Sequence, residues 1–270
     1  MPARQGAGAP RGAQAGTLEA GQVRAMFDRI AGVYDLMNTA MTAGLHHRWR
    51  ARAVDFARVG PGSRVLDVAT GTGDLAIELA RRVSPGGEVV GSDFAEGMLD
   101  RARTKVAHGR EQSVIPRFEW ADAMALPYGD DSFDSATVGF GARNFDDLAR
   151  GLAEMVRVVR PGGRVVVLEI TTPTRAPLSL FYRLWFDRVV PALGRLAGAI
   201  VWLRARLGAS ASQSTIADAY SYLPSSVKRF PGPVALAAEL QRAGLCEISY
   251  LLTAGGIVAI HAGTVPAKSA

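Results

Sequence analysis

Apolar and polar positions follow two different periods along the middle of the chain. Short apolar runs bounded by turn residues predict buried strands at Arg64 to Val68, Glu88 to Ser92, Ile115 to Trp120, Phe133 to Val138 and Arg164 to Glu169. Between them, apolar residues at helical spacing predict helices at Asp74 to Val83, Ala95 to His108 and Asp146 to Val159. Strands that alternate with helices in this way indicate an α/β protein with a parallel sheet covered on both faces.

The two ends of the chain depart from this rhythm. Residues 19–35 predict a helix, and a mostly helical segment from Tyr34 to Trp49 follows with a break near Gly44. Near the C-terminus, helix Pro233 to Ala243 precedes two strands, Cys246 to Leu252 and Ile257 to Gly263, which predict an antiparallel hairpin. We therefore expect a disordered tail (1–18) and a single domain (19–270), with an N-terminal helical lid (19–58) and a helical insertion (175–232).

Composition narrows the class of protein. The 270 residues are enough for one large α/β domain, and contents of 48% hydrophobic and 21% charged residues are ordinary for a soluble globular protein. The single cysteine, Cys246, excludes an internal disulfide and suits a reducing compartment. The four histidines lack ligand-like spacing, so no metal site is predicted. Residues 1–16 contain no apolar stretch of the kind a signal peptide needs, and we expect a cytoplasmic protein.

Positive charge is concentrated in one part of the chain. The net charge is +6, and the segment from Arg175 to Leu207 has Asp187 as its one acid. Its arginines are Arg175, Arg183, Arg188, Arg195, Arg204 and Arg206. A solvated helix face, a nucleic-acid contact or an anionic membrane surface would each explain this charge.

The strand–loop–helix unit from Val65 to Asp74 carries the first chemical signal. Gly71 and Gly73 allow backbone to approach a ligand closely at the carboxyl end of the first strand, where α/β sheets bind nucleotides. Ala76 stands where a dinucleotide fingerprint has its third glycine, which does not exclude NAD. Asp67 and Asp74, however, would repel a pyrophosphate and attract a sulfonium or an ammonium group.

Further polar residues follow the next strands. Asp93 ends the second strand, where a carboxylate holds ribose hydroxyls, and Asp122 with Ala123 ends the third, where adenine would lie. This ordered set resembles the class I S-adenosylmethionine-dependent methyltransferases, which implies a Rossmann-like sheet of seven strands with the last antiparallel. The alternative is a Rossmann-like domain for another nucleotide. The resemblance implies these cofactor-binding residues: Asp67, Gly71, Thr72, Gly73, Asp93, Asp122, Ala123 and Gly139.

Five motifs, four of them outside the cofactor loop, narrow the resemblance. They are Y34-D-L-M-N38, A43-G-L-H-H-R-W49, D67-V-A-T-G-T-G-D74, F140-G-A-R-N144 and Y220-S-Y-L-P-S-S-V-K-R-F-P231. Over about residues 20–263 the chain resembles the menaquinone/ubiquinone biosynthesis C-methyltransferases. The resemblance implies methylation of a ring carbon of a polyprenylated quinol, either demethylmenaquinol, which we favour, or the benzoquinol precursor of ubiquinone. The chain departs from the family at Gly139, a frequent serine, at Thr70, a frequent glycine, and in an added segment (199–215).

The reaction needs a nucleophilic ring carbon, which a deprotonated ring hydroxyl provides, and it requires no metal. Arg143 is our candidate for stabilising the phenolate, together with Asn144. The structural alternative is that Asn144 caps the helix near Asp146 and that Arg143 is solvated.

Other candidates lie in or near the N-terminal lid. Tyr34, with Asp35 and Asn38, either covers the acceptor or packs on the sheet. His47 titrates in the range of a base. Asp74 either contacts the sulfonium end of the cofactor or serves the helix start.

Two rival functions stay open at this point. One is an O- or N-methyltransferase of a soluble small molecule, against which the Tyr220–Pro231 motif argues. The other is an RNA-binding methyltransferase-like module, which would need aromatic residues along a basic groove, so we expect no nucleic-acid partner. The arginine- and aromatic-rich segment 178–207 instead suits an amphipathic contact with the inner face of the membrane. A lid helix or a homodimer contact is the alternative for this segment.

Overall fold

A computed structural model of the chain describes residues 20–108, 113–173 and 222–267, together with isolated positions between 179 and 192. The predicted disordered tail (1–18) lies outside the described residues. Most of the predicted helical insertion (175–232), including nearly all of segment 178–207, lies outside them too.

The described residues form a seven-stranded mixed sheet. Its strands are β1 (Arg64–Val68), β2 (Glu88–Asp93), β3 (Arg117–Trp120), β4 (Phe133–Gly139), β5 (Val159–Ile170), β6 (Cys246–Thr253) and β7 (Val258–Thr264). The strand order is β3-β2-β1-β4-β5-β7-β6. Neighbours from β3 to β5 pair in parallel, and β7 runs antiparallel to both β5 and β6. This topology confirms the predicted seven-stranded fold with its last strand antiparallel.

Helices cover both faces of the sheet, as predicted. They are α1 (Ala20–Thr42), α2 (Leu45–Ala57), α3 (Asp74–Val83), α4 (Glu96–Ala107), α5 (Leu148–Val158) and α6 (Pro233–Arg242). Residues 222–229 are also helical. One buried apolar cluster joins α2, α3 and α4 to the sheet, and a second joins α5 and α6 to it. Two-sided burial explains why the central strands are almost continuously apolar.

Helix α1 packs against α4 and α2, and α2 packs against α3 and the sheet. The chain leaves α1 at Thr42 and turns at Gly44, whose φ of 75° lies in the left-handed region that glycine favours. Met26 and Ile30 of α1 pack against Met98 of α4. The turn at Gly44 between α1 and α2 confirms the predicted break in the helical segment. No helix in the described ranges combines the length and the apolar character that crossing a bilayer requires.

Several predicted boundaries were wrong for identifiable reasons. Strand β3 begins at Arg117 rather than at Ile115, because Pro116 has no N–H to donate to a neighbouring strand. Helix α5 begins at Leu148, where the Asp147 side chain accepts a hydrogen bond from the Arg150 N–H at 3.0 Å. Strand β5 is longer than predicted because pairing starts at Val159, and α2 continues beyond Trp49 to Ala57.

Candidate active site

The carboxyl ends of the parallel strands meet at one edge of the sheet and form a cavity of about 160 Å³. Asp122 follows β3, Asp93 ends β2, and the loop after β1 presents Gly71 and Thr72. Seven of the eight predicted cofactor residues line this cavity: Asp67, Gly71, Thr72, Asp93, Asp122, Ala123 and Gly139. Strand order alone arranges them in a row, since neighbouring parallel strands end side by side.

The eighth predicted residue, Gly73, does not line the cavity. Its φ is 82°, and an added Cβ would lie 2.8 Å from the Phe118 ring and 3.0 Å from Ala102 Cβ. Gly73 therefore allows the turn into α3 and its close packing on the sheet. Gly71, whose φ is 56°, differs from Gly73, because a Cβ added to Gly71 would meet no atom within 4 Å. The space beside Gly71 is available to a ligand.

Asp67 is a buried carboxylate at the wall of the cavity, with a relative exposure of 1%. It accepts hydrogen bonds from Thr70 Oγ1 at 2.6 Å and Thr137 Oγ1 at 2.7 Å. Burial nevertheless raises the pKa of Asp67 to about 6. Thr70, the departure from the family pattern, thus fixes the orientation of Asp67. A cationic ligand group beside Asp67 would offset the cost of burying this charge.

Asp93 connects the end of β2 to the glycine loop. It accepts hydrogen bonds from the Gly71 N–H at 2.8 Å and the Ala95 N–H at 2.9 Å. Burial raises the pKa of Asp93 to about 6, and the backbone donors oppose this rise. The carboxylate is therefore rigidly held where the predicted ribose hydroxyls would lie.

The β3 end of the cavity combines one carboxylate with apolar walls. Asp122 accepts a hydrogen bond from the Met124 N–H at 2.9 Å. Phe94, Met98 and Trp120 line the same end. Such a slot fits a flat ring with polar edges. Sequence reasoning missed Phe94 and Met98, because nothing in their local spacing separates a ligand contact from a core residue.

A second cavity of about 280 Å³ adjoins the first and lies between the N-terminal helices and the sheet. Tyr34, Arg50 and Phe140 line both cavities. The walls of the second cavity are mainly apolar and include Met41, Leu45, Trp49, Ile170, Leu223 and Ile257. We call Tyr34, Arg50 and Phe140 the junction of the two cavities. A ligand in the first cavity would meet a largely apolar ligand of the second cavity at this junction.

Arg143 lines the second cavity as half of a buried ion pair. Its Nη1 lies 2.6 Å from Glu169 Oε1, and their side chains are 7% and 1% exposed. Nη1 also donates to the Phe140 carbonyl oxygen. Arg143 Nε and Glu169 Oε2 are buried without a hydrogen-bond partner among the described residues. Burial raises the pKa of Glu169, and Arg143 opposes that rise. The alternative of a solvated Arg143 was therefore wrong, and sequence reasoning missed Glu169.

Asn144 lies in the short 3-10 turn Ala142–Asn144 and lines the first cavity. Its Oδ1 accepts a hydrogen bond from the Tyr222 hydroxyl at 3.3 Å. The Asn144 cap expected as an alternative was wrong, because Asp147 caps α5. The contact joins the F140-G-A-R-N144 motif to the Y220–P231 motif, which are far apart in sequence.

The two adjacent histidines differ in their environment. His47 is exposed and lines neither cavity, so the structure does not bring this candidate base to the site. His46 is 3% exposed and lines the second cavity. Burial, with Arg50 nearby, lowers the pKa of His46 to about 4, so its ring is neutral near pH 7.

Asp74, Lys105, Asp35 and Thr72 form a polar group that we call the lid clasp. Lys105 Nζ lies 2.6 Å from Asp74 Oδ1 and 2.8 Å from Asp35 Oδ2. Thr72 Oγ1 donates to Asp35 Oδ1 at 2.6 Å. Although burial opposes it, Arg50 and Lys105 hold the pKa of Asp74 below its usual range. The clasp connects α1, the cofactor loop, α3 and α4. Within the described ranges, no group of three or more His, Cys, Asp or Glu side chains is arranged to hold a metal ion.

Comparison with known proteins agrees with this geometry. The model of the ubiE/COQ5 methyltransferase family matches residues 16–265. The demethylmenaquinone methyltransferase of Thermus thermophilus is 46% identical over 241 residues, which cover 89% of this chain and 100% of that protein. The ubiquinone/menaquinone biosynthesis C-methyltransferase UbiE of Geobacter sulfurreducens is 40% identical, with 90% and 88% covered.

A solved S-adenosylmethionine-dependent methyltransferase from Aquifex aeolicus superposes with a TM-score of 0.54 at 15% identity. The alignment covers 80% of this chain and 89% of that protein. At this identity the likeness concerns the fold, and it agrees with the seven-stranded topology described above.

Proposed function

The chain belongs to the ubiE/COQ5 methyltransferase family, and from this premise we propose that it methylates a ring carbon of a polyprenylated quinol with S-adenosylmethionine. One observation carries the proposal: a cavity with carboxylates in its wall shares Tyr34, Arg50 and Phe140 with a second, mainly apolar cavity. Two adjacent cavities, of which the first contains several carboxylates and the second is mainly apolar, suit a cationic co-substrate and a lipid-like acceptor.

The first cavity fits S-adenosylmethionine, which supplies a methyl group on a cationic sulfur when it is bound. We assign Asp122 and Ala123 to adenine and Asp93 to the ribose hydroxyls. Asp67 is assigned to the positively charged amino-acid end, because this buried carboxylate near the end of β1 accepts hydrogen bonds from two neutral threonine hydroxyls, and a cationic partner would offset the cost of its burial. Gly71, Thr72 and Gly139 give the cofactor room and backbone contacts, and Gly73 supports the loop.

The second cavity is assigned to the acceptor. Its apolar wall would take the prenylated quinol and exclude water from the reacting carbon. The ring hydroxyl loses its proton to water, and the negative charge that develops on its oxygen is stabilised by Arg143. The ring carbon then forms its bond to the methyl carbon as the methyl–sulfur bond breaks, and it afterwards releases its hydrogen as a proton. Asn144 and Tyr34 would orient the ring at the junction of the two cavities.

We favour demethylmenaquinol as the acceptor over the benzoquinol precursor of ubiquinone. The relative from Thermus thermophilus carries the name of a demethylmenaquinone methyltransferase, and the Tyr220–Pro231 motif has the form that we associate with that branch. The benzoquinol is the second candidate, since the Geobacter sulfurreducens relative is named for both quinones.

The test is transfer of a labelled methyl group by the purified protein. Demethylmenaquinol, the benzoquinol precursor, a catechol and a small amine are offered in parallel under reducing conditions. We expect label in the naphthoquinol, and at a carbon position when the product is analysed by NMR. Label on oxygen or nitrogen, or transfer to the catechol or amine alone, would establish the soluble-substrate alternative instead.

Three further assignments rest on the sequence pattern and the joined cavities. Residues 19–58 would act as a lid over both cavities within one domain (19–270). The single cysteine suits a cytoplasmic enzyme. A peripheral contact with the inner face of the membrane, through residues 178–207, would give access to a bilayer-dissolved quinol, and a homodimer contact is the other role open to that segment.

A further inference from the structure

Arg50 of α2 has an unusual position for a charged side chain. It lines both cavities, and its side chain is 8% exposed. A guanidinium carries five N–H donors and retains its charge, so its burial is costly unless acceptors surround it. The acceptors around Arg50 therefore determine whether its buried charge is stabilised within the protein.

The partners of Arg50 among the described residues satisfy only part of this donor capacity. Nη1 donates to His46 Nδ1, which is a neutral acceptor because the pKa of His46 is lowered to about 4. Nη2 lies 3.5 Å from Asp74 Oδ2, and Asp74 is bound more closely by Lys105 at 2.6 Å. The guanidinium also lies over the Phe140 ring, 5.6 Å from its centre. Among the described residues, the buried Arg50 guanidinium thus has one ion-pair partner, Asp74, whose carboxylate it shares with Lys105, and it makes no hydrogen bond to a carboxylate.

The order of the strands decides which part of the cofactor would reach Arg50. With adenine at the end of β3 and ribose at the end of β2, the amino-acid end falls beside β1, next to β4. Asp67 lies near the end of β1 and lines the first cavity together with Arg50, whose positive charge opposes the rise in the pKa of Asp67. An amino-acid end carries one ammonium and one carboxylate, and Asp67 with Arg50 offers the complementary pair of charges.

We propose that Arg50 binds the α-carboxylate of S-adenosylmethionine while Asp67 receives its ammonium group, an inference that rests on the proposed function. The contact would fix the amino-acid end of the cofactor and so direct the sulfur-bound methyl group toward the second cavity. It would also join α2 to the bound cofactor, because Arg50 belongs to that helix.

The other arginine at the first cavity, Arg24, suits this role less well. Its side chain is 46% exposed, it lies 3.9 Å from Asp28 on its own helix, and it does not line the second cavity. Arg24 therefore provides a matched control: an arginine at the same cavity, on the neighbouring helix, without a place at the junction.

The experiment measures calorimetric binding to the full-length protein with three ligands. They are S-adenosylmethionine, its decarboxylated analogue, and 5′-methylthioadenosine, which lacks the whole amino-acid end. We expect the wild-type protein to bind the decarboxylated analogue roughly 10- to 100-fold more weakly than S-adenosylmethionine, the usual effect of a charge-assisted contact. Arg50→Met should abolish this difference and leave the affinity for 5′-methylthioadenosine unchanged.

Two variants make the outcome decisive. Arg24→Met should retain the full preference for the carboxylate, and Arg50→Lys should retain part of it. Equal binding of both ligands by the wild-type protein would overturn the inference, even if Arg50→Met failed to fold. Loss of preference in Arg24→Met, or an equal loss of affinity for all three ligands in Arg50→Met, would overturn it as well. Failure of the wild-type protein to bind S-adenosylmethionine at all would instead contradict the proposed function.

Discussion

At the scale of single residues, buried charges define the chemistry of this site. Arg143 and Glu169 illustrate how such a pair must be tested, because removal of one partner leaves the other charge buried alone. Arg143→Ala should therefore destabilise the fold by about 3–5 kcal/mol. That loss would obscure any direct effect on the reaction.

We predict that the double variant Arg143→Gln/Glu169→Gln folds and binds S-adenosylmethionine as the wild-type protein does. The double variant leaves no buried net charge, because both ions are replaced by neutral amides that can donate and accept hydrogen bonds. Turnover of the quinol should fall roughly 100- to 1,000-fold, as on removal of a donor that stabilises a developing oxyanion. Steady-state kinetics and calorimetry measure the two effects separately.

Arg160→Gln is the matched surface control for this variant. Arg160 pairs with Asp134 at 2.8 Å, but its side chain is 61% exposed. Neither turnover nor cofactor affinity should change in it. If cofactor affinity fell together with turnover in the Arg143/Glu169 double variant, the assignment of Arg143 to the acceptor would be wrong.

Asp67→Asn should stabilise the protein without ligand and weaken cofactor binding. The pKa of Asp67 is raised to about 6 in the folded protein. Between about pH 4 and 6 the folded state therefore holds a proton that the unfolded state has released, and stability from this group falls as pH rises. The amide removes that cost, and we expect a gain of roughly 1–2 kcal/mol at pH 7.

Urea unfolding of both proteins at pH 5 and pH 7 checks the sign of this effect. The advantage of Asp67→Asn over the wild-type protein should shrink toward pH 5, where the wild-type carboxyl is mostly protonated. Calorimetry at pH 7 should give at least a roughly tenfold loss of affinity for S-adenosylmethionine, since a charge-assisted contact is lost. An advantage that grew toward acid pH would contradict the raised pKa.

At the scale of elements, the turn between β1 and α3 contains two glycines with different roles. Their spacing in the sequence does not distinguish these roles. Gly71→Ala should cost about 1–2 kcal/mol of stability for the left-handed backbone and should sharply weaken cofactor binding. Gly73→Ala carries the same backbone cost and also overpacks Phe118 and Ala102, which adds about 1–3 kcal/mol.

Thermal unfolding and calorimetry on the two glycine variants distinguish these roles. Gly73→Ala should be the less stable protein, and Gly71→Ala should show the larger loss of cofactor affinity relative to its loss of stability. Similar losses in both measurements would mean that the space beside Gly71 is not used by the ligand.

The lid clasp makes a further prediction about an element. Lys105 of α4 bridges Asp35 of α1 and Asp74 of α3. Lys105→Met should increase hydrogen exchange in α1 around Asp35, since the amides there open more often when this contact is lost. Arg103→Met, on the same helix with partners Glu96 and Asp100, should leave exchange in α1 unchanged. Equal effects in both variants would exclude a specific role for the clasp.

At the scale of the whole molecule, the cavity at the carboxyl edge of the sheet adjoins a mainly apolar cavity between the N-terminal helices and the sheet. A quinol acceptor dissolved in a bilayer would have to reach the apolar cavity from a membrane surface. We predict that the protein co-sediments with anionic vesicles and dissociates as the salt concentration rises, because arginines of segment 178–207 would supply much of the attraction.

The triple variant Arg183→Glu, Arg188→Glu and Arg195→Glu should abolish vesicle binding while methylation of a short-chain, water-soluble quinol continues. A control triple variant outside this segment, Arg81→Glu in α3, Arg117→Glu in β3 and Arg242→Glu in α6, changes the net charge equally and should still bind vesicles. Equal loss in both variants would show that net charge, rather than this segment, directs the protein to the membrane.

The sequence by itself determined the fold and the carboxylate row. Strand and helix periods are local properties, and a residue that ends a parallel strand must lie at the ligand edge of the sheet. Asp67, Asp93 and Asp122 were therefore predictable from position alone, and the motifs around Tyr34, Arg143 and Tyr220 pointed to the family.

Only the tertiary structure decided which other charges belong to the site. Arg50, Lys105 and Glu169 resemble many other charged residues of the chain in their local sequence. Their ion-pair partners lie on other elements, as Glu169 lies 26 positions from Arg143, and local spacing carries no information about such pairs. Burial is decided when helices dock on the sheet, and that docking placed His46 inside the site and left His47 outside it.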